Sequence, residues 1–410
     1  DARVGAAMPM WNKTIACALL LGMMTRALGD EPREPHLLDF SRDRNIRETL
    51  QSAIDHRVIP GAVYWIEREG QVIQGVIGSR AVIPKKETMS RDTMFDVASL
   101  TKVVATTPSV MLLLEQGKIR PEATVATYLP EFAGEGRERI TLRNLLTHTS
   151  GLRPSLSVKE PWTGYDHGIE RACKTVPENP PEERFVYSDI NFILLGEIVH
   201  RVSGEPLDEF AKKNVFIPLK MRDTTFNPEA KMRARIAPTE RDENGNMLRG
   251  VVHDPTSRRM GGVAGHAGLF STAADLARYC RMIMNGGELD GVRLLKPQTV
   301  DQMRHVQSTP AIQEKRGFGW DIDTHYSRPR GALFPIGSFG HTGFTGTCLW
   351  LDPFSKTFFV YLSSRLHGTD PKTDSRKVYE EMGTEAALCV LNFDFTDVPG
   401  ALPATERTLK

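Results

Sequence analysis

Strand-like runs stand at both ends of the chain, residues 62–67 and 72–77 near its start and 317–322, 345–351 and 357–363 near its end. Helical periodicity fills most of residues 121–316 between them. Strands so far apart in sequence satisfy their backbone donors and acceptors in one sheet only if the two ends of the chain meet. The pattern therefore predicts an α/β (α+β) fold, an antiparallel sheet from both termini flanked by helices, with a mainly helical part inserted. Arg68-Glu69-Gly70-Gln71 reads as a hairpin turn, and Asp352-Pro353-Phe354-Ser355-Lys356 as a second turn. Ile46, Leu50 and Ile54 fall at helical spacing before the first strand, and residues 377–392 form an amphipathic helix after the last. A single domain is expected over residues 30–395, with an α/β subdomain at about 37–120 and 310–395, a helical subdomain at about 121–309 and a tail at 396–410. No internal repeat is visible.

The first 29 residues stand apart from that fold. Lys13 opens a short positive region, residues 15–24 are apolar, and Ala27-Leu28-Gly29 offers small residues for cleavage before Asp30, the pattern of an export signal. The apolar run is too short to cross a bilayer as a stable helix, so no stable membrane span is expected and the mature chain is expected in the periplasm or outside the cell. Residues 1–9 precede Met10 and lie outside the signal pattern. A formal net charge of +1, with lysine and arginine scattered, leaves no basic face for nucleic acid. Cys17 falls in the leader, while Cys173, Cys280, Cys348 and Cys389 are far apart with no C-x-x-C pair, which suits small buried thiols.

Chemistry concentrates in three short motifs. Ser99-Leu100-Thr101-Lys102 opens a helix-like run over 103–116, and residues three apart on a helix share a face, so the Lys102 amine is expected beside the Ser99 hydroxyl. A serine hydroxyl is a weak nucleophile at neutral pH and needs a group to take its proton. In a first turn the Ser99 N–H also has no intrahelical acceptor, which makes it half of an oxyanion hole. Tyr187-Ser188-Asp189 lies on the loop entering a helix over 191–202, and a cation beside a tyrosine favours the phenolate. His341-Thr342-Gly343 precedes a strand that starts near Phe344. There Gly343 would let a ligand lie against the strand, and the Phe344 N–H would supply the second oxyanion donor.

In this order Ser99-x-x-Lys102, Tyr187-Ser188-Asp189 and His341-Thr342-Gly343 resemble the motifs of the serine β-lactamase and penicillin-binding-protein superfamily. The tyrosine is similar to that of its class C β-lactamase-like branch, which includes DD-peptidases, family VIII esterases and muropeptide amidases. The resemblance spans about residues 40–390 and includes Leu145-Leu146-Thr147-His148-Thr149-Ser150-Gly151-Leu152 and Leu269-Phe270-Ser271-Thr272-Ala273-Ala274-Asp275-Leu276. Val251-Val252-His253-Asp254, followed by residues 262–270, resembles members acting on peptidoglycan. The resemblance implies a β-lactamase/transpeptidase-like fold and a cofactor-free serine hydrolase that forms an acyl-enzyme on Ser99. Lys102 and Tyr187 would share the serine proton, and Tyr187 would later activate water. His341, Thr342 and Gly343 would bind substrate, and the Ser99 and Phe344 N–H groups would hold the oxyanion. The implied partner is a small-molecule or peptidoglycan-derived substrate with an ester or amide bond.

Two residues depart from the motif. Asp189 stands where many members carry asparagine. An ionised carboxylate only accepts hydrogen bonds, so Asp189 either pairs with Lys102 or favours a substrate amine. His341 stands where most β-lactamases carry lysine, and a histidine near neutrality is a weaker anchor for a substrate carboxylate. Both changes point away from a dedicated antibiotic-degrading enzyme, toward a carboxylesterase or peptidoglycan-peptide amidase or DD-peptidase with weak β-lactamase activity. A true class C-like β-lactamase and a non-hydrolysing penicillin-binding or sensor protein remain open alternatives.

Other polar residues have plainer readings. His148, at a helix end, is expected to make structural hydrogen bonds. His253 and Asp254 are adjacent on extended chain and point oppositely, so loop ordering is expected of them. His266 sits in the glycine-dense stretch 261–272, where backbone must approach something closely; a cleft-facing and a structural role are both open, and it is left out of the catalytic set. None of the eleven histidines forms H-E-x-x-H or H-x-H, so no metal is expected, and the G-x-S-x-G elbow of an α/β-hydrolase is missing. The long 153–184 segment, rich in proline, glycine and charge, is expected to wall the pocket.

Overall fold

Glu69 and Gly70 both take positive φ, 45° and 89°, the turn whose twist matches a tight hairpin. They join strands Gly61–Arg68 and Gln71–Ala81 in the computed structural model, which describes residues 35–370 and 372–403. The expected export signal and Cys17 lie outside the described residues. Within the unit that begins at Leu37, Gly61–Arg68 pairs on its other side with Thr357–Ser363, Tyr64 opposite Tyr361. The two ends of the chain therefore meet in one sheet. Its eight strands run antiparallel in the order Glu87–Thr88, Gln71–Ala81, Gly61–Arg68, Thr357–Ser363, Thr347–Asp352, Phe339–Gly343, Asp321–Asp323 and Lys315–Arg316.

Successive side chains on these strands go to opposite faces, and both faces are covered. Val63, Leu349, Val360 and Leu362 join Leu276 and Tyr279 of helix Ala273–Met284 in the larger core. Tyr64, Trp350, Phe359 and Tyr361 pack with Ile46 and Leu50 of helix Asp43–Asp55 and with Met382 of helix Arg376–Leu388. Double coverage is why the strands read as apolar runs, and each such side chain buried contributes about 1.5–3 kcal/mol.

Three expectations are corrected. Residues 317–322 are not one strand, because the Gly317 N–H turns back to Trp320 O at 3.0 Å and leaves two short strands on either side. His341-Thr342-Gly343 lies inside a strand rather than before one, and residues 344–346 form the hairpin turn, closed by Gly346 N–H to Gly343 O at 3.1 Å. The helix after Ser99 begins with a π-type turn, Lys102–Thr106, before the α-helix Thr107–Glu115. Pro108 has no N–H for the carbonyl four residues back, and Thr107 N–H reaches five residues back to Lys102 O.

The inserted part centres on helix Asp189–Ser203, buried from Ile190 to Val199. Gly265 lays its bare Cα on this helix at Phe192 and Gly196, where a Cβ would collide, so the glycine-dense stretch approaches protein backbone. Strands Phe95–Asp96, Leu269–Ser271 and Thr225–Phe226 form a small sheet that ties the Ser99 turn to that stretch. Cys173, Cys280, Cys348 and Cys389 are buried free thiols, as expected. Among the described residues no helix is long and apolar enough to cross a membrane.

Candidate active site

Ala98, immediately before Ser99, takes φ 47°, a strained backbone for a residue with a Cβ. Asp96 Oδ1 accepts the Ala98 N–H at 2.9 Å and Thr101 Oγ1 donates to Ala98 O at 2.6 Å, which fixes the turn carrying the serine. Lys102 follows on the π-type turn and is 0% exposed. Its ammonium donates to Ser99 Oγ at 3.0 Å, to Asp189 Oδ1 at 2.7 Å and to His266 O at 3.0 Å, which uses all three of its hydrogens. Burial pulls Lys102 toward the neutral amine, but the charges of Asp189 and Tyr187 outweigh it and hold its pKa above the ordinary value. Lys102 is therefore an ammonium at neutral pH. Of the two roles open to Asp189, the structure shows the pairing with Lys102.

The Tyr187-Ser188-Asp189 motif is held from behind. Ser188 Oγ donates to Arg153 O at 2.6 Å and Asp189 N–H to Pro154 O at 2.7 Å. His148 Nδ1 accepts the Ser188 N–H at 3.1 Å, and its ring lies 4.4 Å from that of Tyr187, a structural role as expected. The 153–184 segment thus supports the motif instead of walling the cavity. It folds on itself, with Trp162 Nε1 donating to Ser157 O at 3.0 Å.

Ser99, Tyr187, Asp189, His341, Thr342 and Phe344 line one cavity of about 470 Å³. Gly343 does not join them. A Cβ there would collide with Val97 O and Thr347 Oγ1, so this glycine lets the strand pack on the Ser99 turn rather than admitting a ligand. His341 is 4% exposed, and its Nδ1 lies 2.8 Å from Thr342 O. A carbonyl only accepts, so Nδ1 carries the proton and Nε2 is a bare acceptor, which has no partner. Burial first, then the cations Arg316 and Lys102, hold the His341 imidazole well below its usual range, so it is uncharged at neutral pH. Phe344 stands at the rim, 60% exposed, its ring stacked on His253 at 5.6 Å and beneath the Arg365 guanidinium at 4.4 Å. Among the described residues neither the Ser99 nor the Phe344 N–H has an acceptor.

His266, for which the sequence leaves a cleft-facing role open, lines the cavity, as do Asp254, Arg316 and Tyr326, which the sequence does not place there. His266 Nε2 meets Asp254 Oδ1 at 2.8 Å, while His253 turns away to Glu240 at 2.6 Å, so the adjacent pair diverges as expected. Burial works against the Asp254 charge, but His266, the Ser257 N–H and Lys102 together hold its carboxyl below the usual range. Asp189, Asp254 and His266 offer ligand atoms within 4.8 Å of one another and could hold a metal ion. They come from separate segments, which the spacing of histidines cannot show. Arg316, buried with Nη2 on Gly319 O at 3.0 Å, and Tyr326, its ring 5.1 Å from that of Tyr187, come from the broken strand and the loop after it. A larger groove of about 820 Å³ is lined by Glu67, Glu69 and Asp301 with Arg281, Lys356 and Arg304. Those charges pair with one another, and it holds no nucleophile.

The sequence matches the Beta-lactamase family model over residues 43–381. Over 317 residues it is 33% identical to a provisionally named D-alanyl-D-alanine carboxypeptidase of Escherichia coli (strain K12), an alignment covering 70% of this chain and 71% of that protein. The fold is similar to that of EstCE1, described as a hydrolase with promiscuous acyltransferase activity, with a TM-score of 0.68 and 23% identity over 84% of this chain and 98% of that one. It is also similar to a class C beta-lactamase from Rhodobacter sphaeroides, with a TM-score of 0.66 and 18% identity over 84% of this chain and 98% of that one.

Proposed function

The chain belongs to the beta-lactamase family of serine hydrolases, and from that premise we propose that it cleaves an ester or amide through an acyl-enzyme on Ser99. The observation that carries this reading is the Lys102 ammonium, held by Asp189 at 2.7 Å while it donates to Ser99 Oγ at 3.0 Å. An ammonium cannot take the serine proton, which leaves Tyr187, whose ring lies 5.0 Å from Lys102 Nζ. To take that proton Tyr187 must enter the step as its phenolate, the form that the neighbouring ammonium favours. Ser99 Oγ bonds the carbonyl carbon as its proton passes to Tyr187, and the Ser99 and Phe344 N–H groups hold the oxyanion. Each such donor is worth about 10²–10³ in rate. On collapse the C–O or C–N bond breaks and Tyr187 returns the proton to the leaving group. Tyr187 then takes a proton from water, the hydroxide splits the acyl-enzyme, and Ser99 regains its proton.

The uncharged His341 and the acceptor-only Asp189 favour a carboxylesterase or a peptidoglycan-peptide amidase or DD-peptidase, with weak β-lactam hydrolysis beside it. The name carried by the Escherichia coli relative supports the peptidase choice, and a peptidoglycan substrate would place the enzyme in the periplasm or outside the cell. Turnover of p-nitrophenyl butyrate, a D-Ala-D-Ala peptide, a muramyl peptide and nitrocefin by the wild type tests this. One of the first three is expected to show the highest kcat/KM. A clear preference for nitrocefin would establish a β-lactamase instead.

Asp189→Asn should shift the pH profile. Without that carboxylate, burial of Lys102 is opposed only by Tyr187 and Asp254, so the lysine loses its proton at lower pH. The alkaline limb of kcat/KM is expected to move to lower pH. A limb that stays in place would show that Asp189 does not set the charge on Lys102.

A further inference from the structure

We propose that the cavity selects acyl donors carrying a free, protonated amine on the acyl side, and that the gap between Asp189 and Asp254 receives it. This rests on the serine-hydrolase reading and names the substrate class of the same site. Asp189 and Asp254 line the cavity that holds Ser99, with carboxylate oxygens and a His266 ring nitrogen all within 4.8 Å of one another. Lys102 already shows what this corner accepts, since its ammonium sits 2.7 Å from Asp189 Oδ1. Asp254 Oδ1 takes His266 Nε2 at 2.8 Å and the Ser257 N–H at 2.7 Å, and Lys102, with all three hydrogens committed and 0% exposed, has none left for the other oxygen of Asp254. An incoming primary ammonium brings the three donors that the second carboxylate and the free oxygen of the first can accept.

An independent feature of the cavity points the same way. His341, from the Phe339–Gly343 strand, presents an Nε2 that has no partner, and its Nδ1 bond to Thr342 O makes that nitrogen an acceptor. His266, 1% exposed, likewise has an unpartnered Nδ1. The carboxylate oxygens of Asp189 and Asp254 on one side and His341 Nε2 on the strand side are acceptors that call for a ligand rich in N–H. An N-acylated group keeps one N–H, brings no positive charge, and adds a carbonyl oxygen that the two carboxylates repel.

The test compares alanine benzyl ester with N-acetyl-alanine benzyl ester, both enantiomers of each, in buffer containing EDTA, with p-nitrophenyl butyrate reporting on Ser99 itself. The free-amine ester is expected to exceed its N-acetyl partner by ~10-fold in kcat/KM for at least one enantiomer, the size of one charged hydrogen bond. In Asp254→Asn that ratio should fall by ~5-fold or more. Asparagine keeps an oxygen for the Ser257 N–H at the start of helix Pro255–Arg259, and a thermal melt verifies the fold. Equal rates, a preference for the N-acetyl esters, cleavage of butyrate but neither alanine ester, or an unchanged ratio in folded Asp254→Asn would each overturn the amine site. Failure to cleave butyrate, either alanine ester, the D-Ala-D-Ala peptide or the muramyl peptide, with no acyl adduct on Ser99, would overturn the serine-hydrolase reading and the amine site with it.

Discussion

Tyr187→Phe is expected to lower kcat/KM for every ester or amide substrate by ~10²–10⁴-fold, with KM changed only a few-fold. The substitution removes one oxygen and keeps the ring, which is packed by His148 at 4.4 Å, Tyr326 at 5.1 Å and His341 at 6.0 Å. The fold should therefore survive, and the loss would fall on proton transfer. Steady-state kinetics beside a thermal melt separate the two. A folded variant within tenfold of wild type would mean that another group takes the Ser99 proton.

Lys102→Met is expected to slow acylation by a comparable ~10²–10⁴-fold and to destabilise the protein as well. Methionine matches the length of the stem but leaves Asp189 without its cation and the carbonyl of His266 without a donor. Breaking a fully buried ion pair costs about 3–5 kcal/mol. The Asp189 side chain is 26% exposed, so water recovers part of that loss and the cost should fall below the range. Acylation rates from quenched-flow mass spectra and denaturant unfolding give the two numbers. Acylation at the wild-type rate would remove Lys102 from the chemistry.

The sheet was legible because its strands are buried on both faces, which makes residues 357–363 an apolar run with clear ends. The meeting of Lys102 with Ser99 was legible because residues three apart share a helix face, and the structure puts them 3.0 Å apart with Ser99 and Tyr187 in one cavity. Residues 317–322 misled because an apolar composition does not report the turn that Gly317 makes with Trp320. Gly343 was read as room for a ligand, whereas the room is filled by Val97 and Thr347 of the protein itself. The pairing of Asp254 with His266 escaped because it is tertiary. Each has an innocent local reading, as a helix cap and as one residue of a glycine-rich loop, and only the packing of that loop on helix Asp189–Ser203 brings them to Lys102. Asp96 carried a visible signal, a carboxylate inside the run Met94-Phe95-Asp96-Val97, and its bonds to the Ala98 and His253 N–H groups explain it.

The most direct measurement is the intact mass of wild type and Ser99→Ala after brief exposure to the best substrate of the panel and quenching in acid. The wild type should gain the mass of the acyl group alone, mapped by digestion to the peptide containing Ser99, and Ser99→Ala should show no adduct and no turnover. Hydrolysis by Ser99→Ala at the wild-type rate, or an adduct on any other residue, would contradict an acyl-enzyme on Ser99.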